Sequence, residues 1–406
     1  MKPTRRLIQF AFLSATLIGV YVFGANCERW CPFGGVEAMY EYIHNGTMVC
    51  SLGMSNFYAL AGVLLMTLLI RRAFCGYICP IGIISEWLNI ASVRSGLARR
   101  LGVAGRSVPP AVDRVMGLMK YAVLAAILYF TWRAGELIFR GFDPCYALIS
   151  RHGTDITYWA YVVAGTIVVA SLVIMMPFCR WFCPLAAVLS PLSRIGLFRV
   201  RRDSDECIDC GKCAKACPTA IPVDQLQQVT AARCISCMQC VEQCPKKSAG
   251  ALAWGPPRIF GRPWSRAVLV FVLLLCVSGV VAATYIYPLP SYVKTHGSEP
   301  ATTASVQLTL ENLSCRGRAN LLYYFIGRDD LYELGGYFRL DAWPGPGEAE
   351  IRVWYDPSKV DEQRVREAIT EAYFEPEYGW RESPFKIKGY DVLGLGLEPD
   401  VLSQPQ

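Results

Sequence analysis

Histidine is scarce and charge is thin in this chain. Three histidines and 18% Asp, Glu, Lys and Arg are spread over 406 residues. His44, His152 and His296 all fall outside the apolar runs described below, so a haem held by two histidines within a membrane has no ligand pair here. There is no nucleophile elbow, P-loop or dinucleotide fingerprint, and hence no visible substrate-transforming site. The first apolar run is followed by no Ala-x-Ala site, and Gly24-Ala25-Asn26 before Cys27 is no lipoprotein cleavage box. That run therefore reads as an uncleaved anchor. A net charge of +7, unevenly placed, does not point to nucleic acid.

The chain is rich instead in apolar residues and cysteine. Hydrophobic residues make up 53% and the mean hydropathy is +0.30, which argues against a fully solvated fold. The eighteen cysteines mostly sit in close groups, the pattern of metal or cluster ligation rather than of a scattered disulfide framework.

Five apolar stretches, residues 7–24, 56–70, 115–132, 158–178 and 267–287, approach the ~20 helical residues that a hydrocarbon core of ~30 Å requires. A buried helix of a large soluble protein could supply one such run; five weigh against it. With the N-terminus cytoplasmic, the inner segments hold Lys2, Arg5, Arg6, the arginines from Arg71 to Arg114 and a dense set from Arg180 to Arg266. The outer loops hold only Arg29, Arg133, Arg140 and Arg151, the expected asymmetry of a bacterial inner-membrane protein. Trp87, Trp132, Tyr158 and Tyr285 near the helix ends read as interface anchors.

After the last crossing the charge changes sign. Residues 291–406 carry 12 basic and 19 acidic side chains, a net −7, against +14 for residues 1–290; this marks a separate, periplasmic domain. Its pattern predicts a strand over 305–310, a helix over 318–326, strands over 337–342 and 350–355, a helix over 361–372 and a strand over 385–390. That β-α-β-β-α-β order suggests an α+β ferredoxin-like sandwich. The predicted fold is thus a membrane α-helical bundle of about five transmembrane helices with an inserted ferredoxin module and a C-terminal α+β domain. Its parts are a four-helix membrane domain (1–200), a cytoplasmic ferredoxin module (201–255), a fifth transmembrane helix (264–290) and the external domain (300–395).

The module carries the strongest motif. Cys207-x2-Cys210-x2-Cys213-x3-Cys217-Pro218 is repeated as Cys234-x2-Cys237-x2-Cys240-x3-Cys244-Pro245. In this spacing three cysteines of a run wrap one [4Fe–4S] cube and the fourth ligates the other. Cys207, Cys210, Cys213 and Cys244 are therefore assigned to one cluster, and Cys217, Cys234, Cys237 and Cys240 to the second. Zinc also uses paired C-x2-C motifs, but two intact runs with their prolines favour iron–sulfur.

A second repeat joins Phe74-Cys75-Gly76-Tyr77-Ile78-Cys79-Pro80 to Phe178-Cys179-Arg180-Trp181-Phe182-Cys183-Pro184, 104 residues on. The first four helices so read as two copies of a two-helix unit that would bring Cys75, Cys79, Cys179 and Cys183 together at the inner edge. The four thiols could hold a further cluster or pack around the helix-breaking prolines. Cys27, Cys31, Cys50 and Cys145 fall at the outer face, where a cluster or two disulfides are both open. Cys276 reads as a small apolar residue within the last helix. Quinol oxidation needs a proton acceptor; His44, His152, Glu136 and Asp143 lie toward the outer face. Glu86 could be the polar face of an interfacial helix.

Paired C-x3-C-P motifs at helix ends, followed by a two-cluster module, resemble the NapH-type polyferredoxins, quinol-dehydrogenase membrane subunits, over residues 1–260. The MauN-type proteins and the membrane half of NosR-type regulators are similar. The resemblance implies that the eight ferredoxin cysteines and Cys75, Cys79, Cys179 and Cys183 are cluster ligands. It also implies electron flow from the quinone pool to a periplasmic or membrane redox partner protein in the bilayer. A fifth crossing and an external domain depart from the plain NapH layout and look more like the CcoG/RdxA group, linked to copper reduction in oxidase assembly. The segment from Val306 to Arg318 resembles the first strand and loop of heavy-metal-associated domains, but Arg318 replaces their second cysteine and leaves Cys315 alone. The expected function is membrane iron–sulfur electron transfer; a copper reductase or assembly factor and a redox-sensing regulator are the alternatives.

Overall fold

The structure, a computed structural model, describes residues 3–23, 30–45, 55–100, 108–134, 138–149, 157–246, 248–256, 264–296, 298–327, 334–345, 347–375 and 379–390. Cys27, Cys50, Glu136 and His152 lie outside these residues. Two compact units form: Met1–Glu37 with Ser55–Ile286, and Ala38–Met54 with Tyr287–Gln406.

The helices are α1 (Pro3–Tyr21), α2 (Pro32–Asn45), α3 (Ser55–Ile70), α4 (Ala73–Tyr77), α5 (Pro80–Arg94), α6 (Leu97–Arg100), α7 (Pro110–Ala134), α8 (Pro144–Ile149), α9 (Tyr158–Val173), α10 (Pro177–Trp181) and α11 (Pro184–Ile195). After β1 (Arg199–Arg202) come two single-turn helices, α12 (Lys212–Lys215) and α13 (Gln239–Glu242), then β2 (Leu252–Gly255) and α14 (Arg266–Ile286). Among the described helices, residues 110–133 and 266–286 are long and apolar enough to cross a membrane. Only 17% and 11% of their apolar windows are buried within the protein. Phe271, Leu274 and Leu275 of α14 and Leu118, Phe130 and Trp132 of α7 are exposed instead. Shorter apolar helices are α3 and α9, at 16 residues each, and α11, at 12.

The expected run over 158–178 is broken. Met176 precedes Pro177, whose ring disfavours a right-handed helical residue before it, and the chain takes the left-handed conformation there before α10 starts. Where α3 and α14 cross, a Cβ on Gly62 would sit 2.2 Å from Val280 Cγ2, so glycine permits the close approach. Between α5 and α9, Ser85 and Ser171 share a hydroxyl hydrogen bond of 2.7 Å, and Asn89 donates to the Ser171 carbonyl. Such contacts satisfy polar groups among apolar helices. β1 and β2 pair antiparallel, Arg199 opposite Gly255 and Arg202 opposite Leu252. They close the ferredoxin module over Trp254, which stacks on Phe198 at 4.9 Å.

The second unit holds β3 (Tyr292–Thr295), β4 (Ala304–Leu310), α15 (Arg316–Ile326), β5 (Tyr337–Trp343), β6 (Ala349–Tyr355), α16 (Glu362–Thr370), β7 (Tyr373–Glu375) and β8 (Gly379–Arg381). The antiparallel sheet runs β3-β5-β6-β4. Alternate residues of β4 and β6, such as Leu308, Leu310, Ile351 and Val353, point into a core shared with Leu322 and Ile326 of α15 and Val365 and Ile369 of α16. Asp361 caps α16 by accepting the Arg364 N–H at 2.9 Å. Residues 385–390, expected as a strand, contribute an isolated Leu310–Ile387 bridge beside β4, made by Glu311 N–H to Lys386 O and Lys388 N–H to Thr309 O. The short β3 and the β7–β8 hairpin carry no alternating pattern long enough to have been predicted.

Candidate cluster-binding sites

Each ferredoxin loop is built the same way. Asp209 and Gly211 in the first, Ser236 and Met238 in the second, adopt the left-handed conformation at φ values of 50, 65, 48 and 58°. Alternating left-handed residues curl a chain until its N–H groups face inward, a nest suited to anions and iron–sulfur groups. A left-handed methionine is strained, and such strain persists where function over-determines the backbone. The four thiols of Cys207, Cys210, Cys213 and Cys244 then line one small cavity, and those of Cys217, Cys234, Cys237 and Cys240 another. Each run lends its fourth cysteine to the other's cavity.

The two cavities differ in exposure. Cys210 is exposed, whereas Cys234, Cys237 and Cys240 are buried. Burial pushes the Cys237 thiol up to about 12 and raises those of Cys234 and Cys240, so a ligating metal must displace protons. Among the described residues, no three His, Cys, Asp or Glu side chains converge closely enough to hold a single metal ion.

The second repeat is also built twice. Cys75 and Cys179 lie within the five-residue helices α4 and α10. Cys79 and Cys183 are the extended N-cap residues of α5 and α11, at φ −60°, ψ 118° and φ −64°, ψ 117°, each followed by proline at the first helical position. The Cys79 and Cys183 N–H groups donate to Phe74 O and Phe178 O at 3.0 and 2.9 Å. All four thiols line a cavity of about 480 Å³. Cys31, Cys145 and Asp143 line the same cavity with apolar neighbours such as Phe12, Phe33 and Phe139. Cys31 and Cys145, read from the sequence as an outer group apart from this quartet, line the same cavity as it does.

Buried charge surrounds these sites. Arg5 pairs bidentately with Glu86 at 2.6 and 2.7 Å, and Gln9 and Gln239 also donate to that carboxylate. Glu86 is fully buried rather than on the polar face of an interfacial helix, and Trp87 donates to Gln9 Oε1 at 3.0 Å. Gln239 stands between Cys237 and Cys240, so this network abuts the second cavity. Arg71 donates to the Val229 and Ala231 carbonyls. Asp113 accepts from Arg180, Trp181 and Arg233, and Arg233 precedes Cys234. Arg72 is 1% exposed; its N–H donates to Cys234 O at 3.4 Å and its Nη2 to Cys179 O at 3.2 Å. The sequence reading counted these arginines as topology signals only. Their pairing with buried carbonyls and carboxylates leaves no trace in residue spacing.

His44 falls on α2, and His296 is exposed in the second unit, stacked on Tyr337 at 5.5 Å. Asp143 accepts the Cys145 N–H at 2.8 Å. Cys276 is buried on α14. Cys315 is an exposed N-cap of α15, while Arg318, at the second metal-ligand position of the resembled domains, donates to Asn312 O at 2.6 Å.

The 4Fe-4S binding domain family matches twice, over residues 52–97 and 156–203, and the 4Fe-4S dicluster domain family over residues 199–245. YccM of Escherichia coli, named for electron transport, is 28% identical over 278 residues, 65% of this chain and 75% of that protein. The ferredoxin-type protein NapH of E. coli is 25% identical over 227 residues, 53% of this chain and 73% of its own. The methylamine utilization ferredoxin-type protein MauN of Methylobacillus flagellatus is 27% identical over 197 residues, 46% of this chain and 60% of its own. No solved structure matches the chain. The doubled binding-domain match coincides with the repeated C-x3-C-P units, and the dicluster match with the crossed thiol cavities; the chain carries 4Fe-4S binding domains and is similar to the ferredoxin-type proteins NapH and MauN.

Proposed function

We propose that the chain is a multi-pass inner-membrane electron carrier with three [4Fe–4S] sites, which passes electrons between the quinone pool and a periplasmic or membrane redox partner. Cys207, Cys210, Cys213 and Cys244 hold one cluster, Cys217, Cys234, Cys237 and Cys240 the second, and Cys75, Cys79, Cys179 and Cys183 a third. When bound, such clusters take up and release single electrons. The observation that carries the reading is the division of the eight ferredoxin thiols into two cavities with exchanged fourth cysteines. The quartet is supported by its shared cavity and by the 4Fe-4S binding-domain matches that enclose both of its motifs.

The protein's own contribution is placement and exclusion of water. The left-handed loop residues turn N–H groups inward, burial dries the Cys234, Cys237 and Cys240 side, and Cys210 keeps the other site near solvent. Arg72 spans the short distance between Cys234 and the quartet. The apolar part of the 480 Å³ cavity, with Asp143 on its wall to receive a proton, suits a quinone ring. The charge asymmetry of the loops supports a cytoplasmic ferredoxin module and a periplasmic C-terminal domain. In anaerobic membranes, a short-chain quinol should produce the EPR signal of reduced clusters within the first turnovers. Membranes that respond to dithionite but not to any quinol would remove the quinone step from this reading.

A further inference from the structure

The geometry points to Arg72 as the charge-compensating, positioning residue of the Cys75–Cys79–Cys179–Cys183 site, with Lys120 as its secondary partner. The inference rests on the proposed third cluster and extends it.

Arg72 is buried to 1% exposure and Lys120 to 7%. Among the described residues, neither forms an ion pair with a carboxylate. The nearby Asp113 is occupied by Arg180 and Arg233. Arg72 lies within electrostatic reach of Cys75, Cys179 and Cys183, and Lys120 within reach of Cys183. The Arg72 Nε and Nη1 groups are buried with no hydrogen-bond partner. A guanidinium does not shed its proton to escape this situation, and leaving such a charge uncompensated in the interior is strongly unfavourable.

A buried guanidinium and a buried ammonium without carboxylate partners, beside four thiols, make a site that favours a bound anion. Four thiolates around a [4Fe–4S] core would supply one, since their negative charge exceeds the positive charge of the core and the net negative charge grows by one unit when the core takes up an electron. Hydrogen bonds and burial are established levers on cluster potential. Arg72 exercises both: its guanidinium is buried beside the Cys75, Cys179 and Cys183 thiols, and its backbone N–H and Nη2 donate to Cys234 O and Cys179 O. It favours the more negative, reduced state while making and breaking no bond. Lys120, on a helix of membrane-spanning length, is the kind of buried ionisable residue that marks a functional path.

The test is an EPR-monitored redox titration of the full-length anaerobic protein as wild type, Arg72→Gln, Arg72→Lys and Lys120→Met, with iron counted in each. Arg72→Gln should shift the third signal toward oxidation by at least about tenfold in its one-electron equilibrium, equivalent to 59 mV. Arg72→Lys should recover at least half of that shift, and Lys120→Met should move it in the same direction by less. The ferredoxin signals should stay within about twofold. Should Arg72→Gln lose the third cluster outright, its retention in Arg72→Lys supports the assignment and its loss in both variants overturns it. An unmoved third signal in Arg72→Gln overturns it too. A wild type with only two clusters would instead remove the underlying third-cluster reading, an outcome visible before any variant is compared.

Discussion

Cys244 belongs by sequence to the second ferredoxin run and by position to the first cavity. Cys244→Ser should therefore bleach the cluster of Cys207, Cys210 and Cys213 and leave the buried one intact, as read by EPR of each site. Loss confined to the second run's cluster would contradict the crossed assignment. Asp209 tests the backbone in the same way. Its φ of 50° is tolerable for Asp and free for Gly but strained by ~1–3 kcal/mol for a β-branched residue. Asp209→Val should lose its cluster to a chelator several-fold faster than Asp209→Gly. At this scale the sequence was most informative about cysteine, because cluster ligation dictates spacing. It was least informative about arginine: Arg5 and Arg72 look like ordinary flanking positive charges until Glu86, Cys179 and Cys234 arrive beside them from distant parts of the chain.

Each C-x3-C-P element is a five-residue helix, an extended cysteine and a proline-started helix, and the whole unit occurs twice. Gly82, in the first turn of α5, is required by this geometry: a Cβ there would meet Cys75 O at 2.4 Å. Gly82→Ala should displace Cys75 and lower iron by about four atoms, one cube, while the ferredoxin EPR signals persist. In the C-terminal unit, Asp361→Ala should remove the α16 cap at a cost of ~1 kcal/mol, seen as a lower midpoint for that unit in thermal unfolding. Most elements could be read from apolar periodicity and turn residues: β4, β5, β6, α15 and α16 each lie within a few residues of their expected places. The break at Met176 was missed because apolar residues run straight through it, and only Pro177 signals the interruption. The strand expected over 385–390 shrank to a bridge because few residues remain beside β4 to pair.

Over the whole molecule, Cys210 lies at a solvent-facing edge, Cys234, Cys237 and Cys240 are buried, and the quartet faces a largely apolar cavity. This order suits electrons passing between a water-soluble or surface partner and a site within a membrane. If the charge reversal after residue 290 marks a periplasmic domain, the exposed Cys315 should react with a membrane-impermeant maleimide in intact spheroplasts. Reaction only after the membrane is opened would reverse the orientation. Of the five apolar runs in the sequence, two form helices long and apolar enough to cross a membrane among the described residues. The account as a whole is tested most directly by the iron and acid-labile sulfide content of the anaerobically purified chain, measured together with its EPR. Three clusters predict about 12 irons and an equal amount of sulfide per chain, whereas an iron-free protein, or one loaded with zinc, would contradict the account at its base.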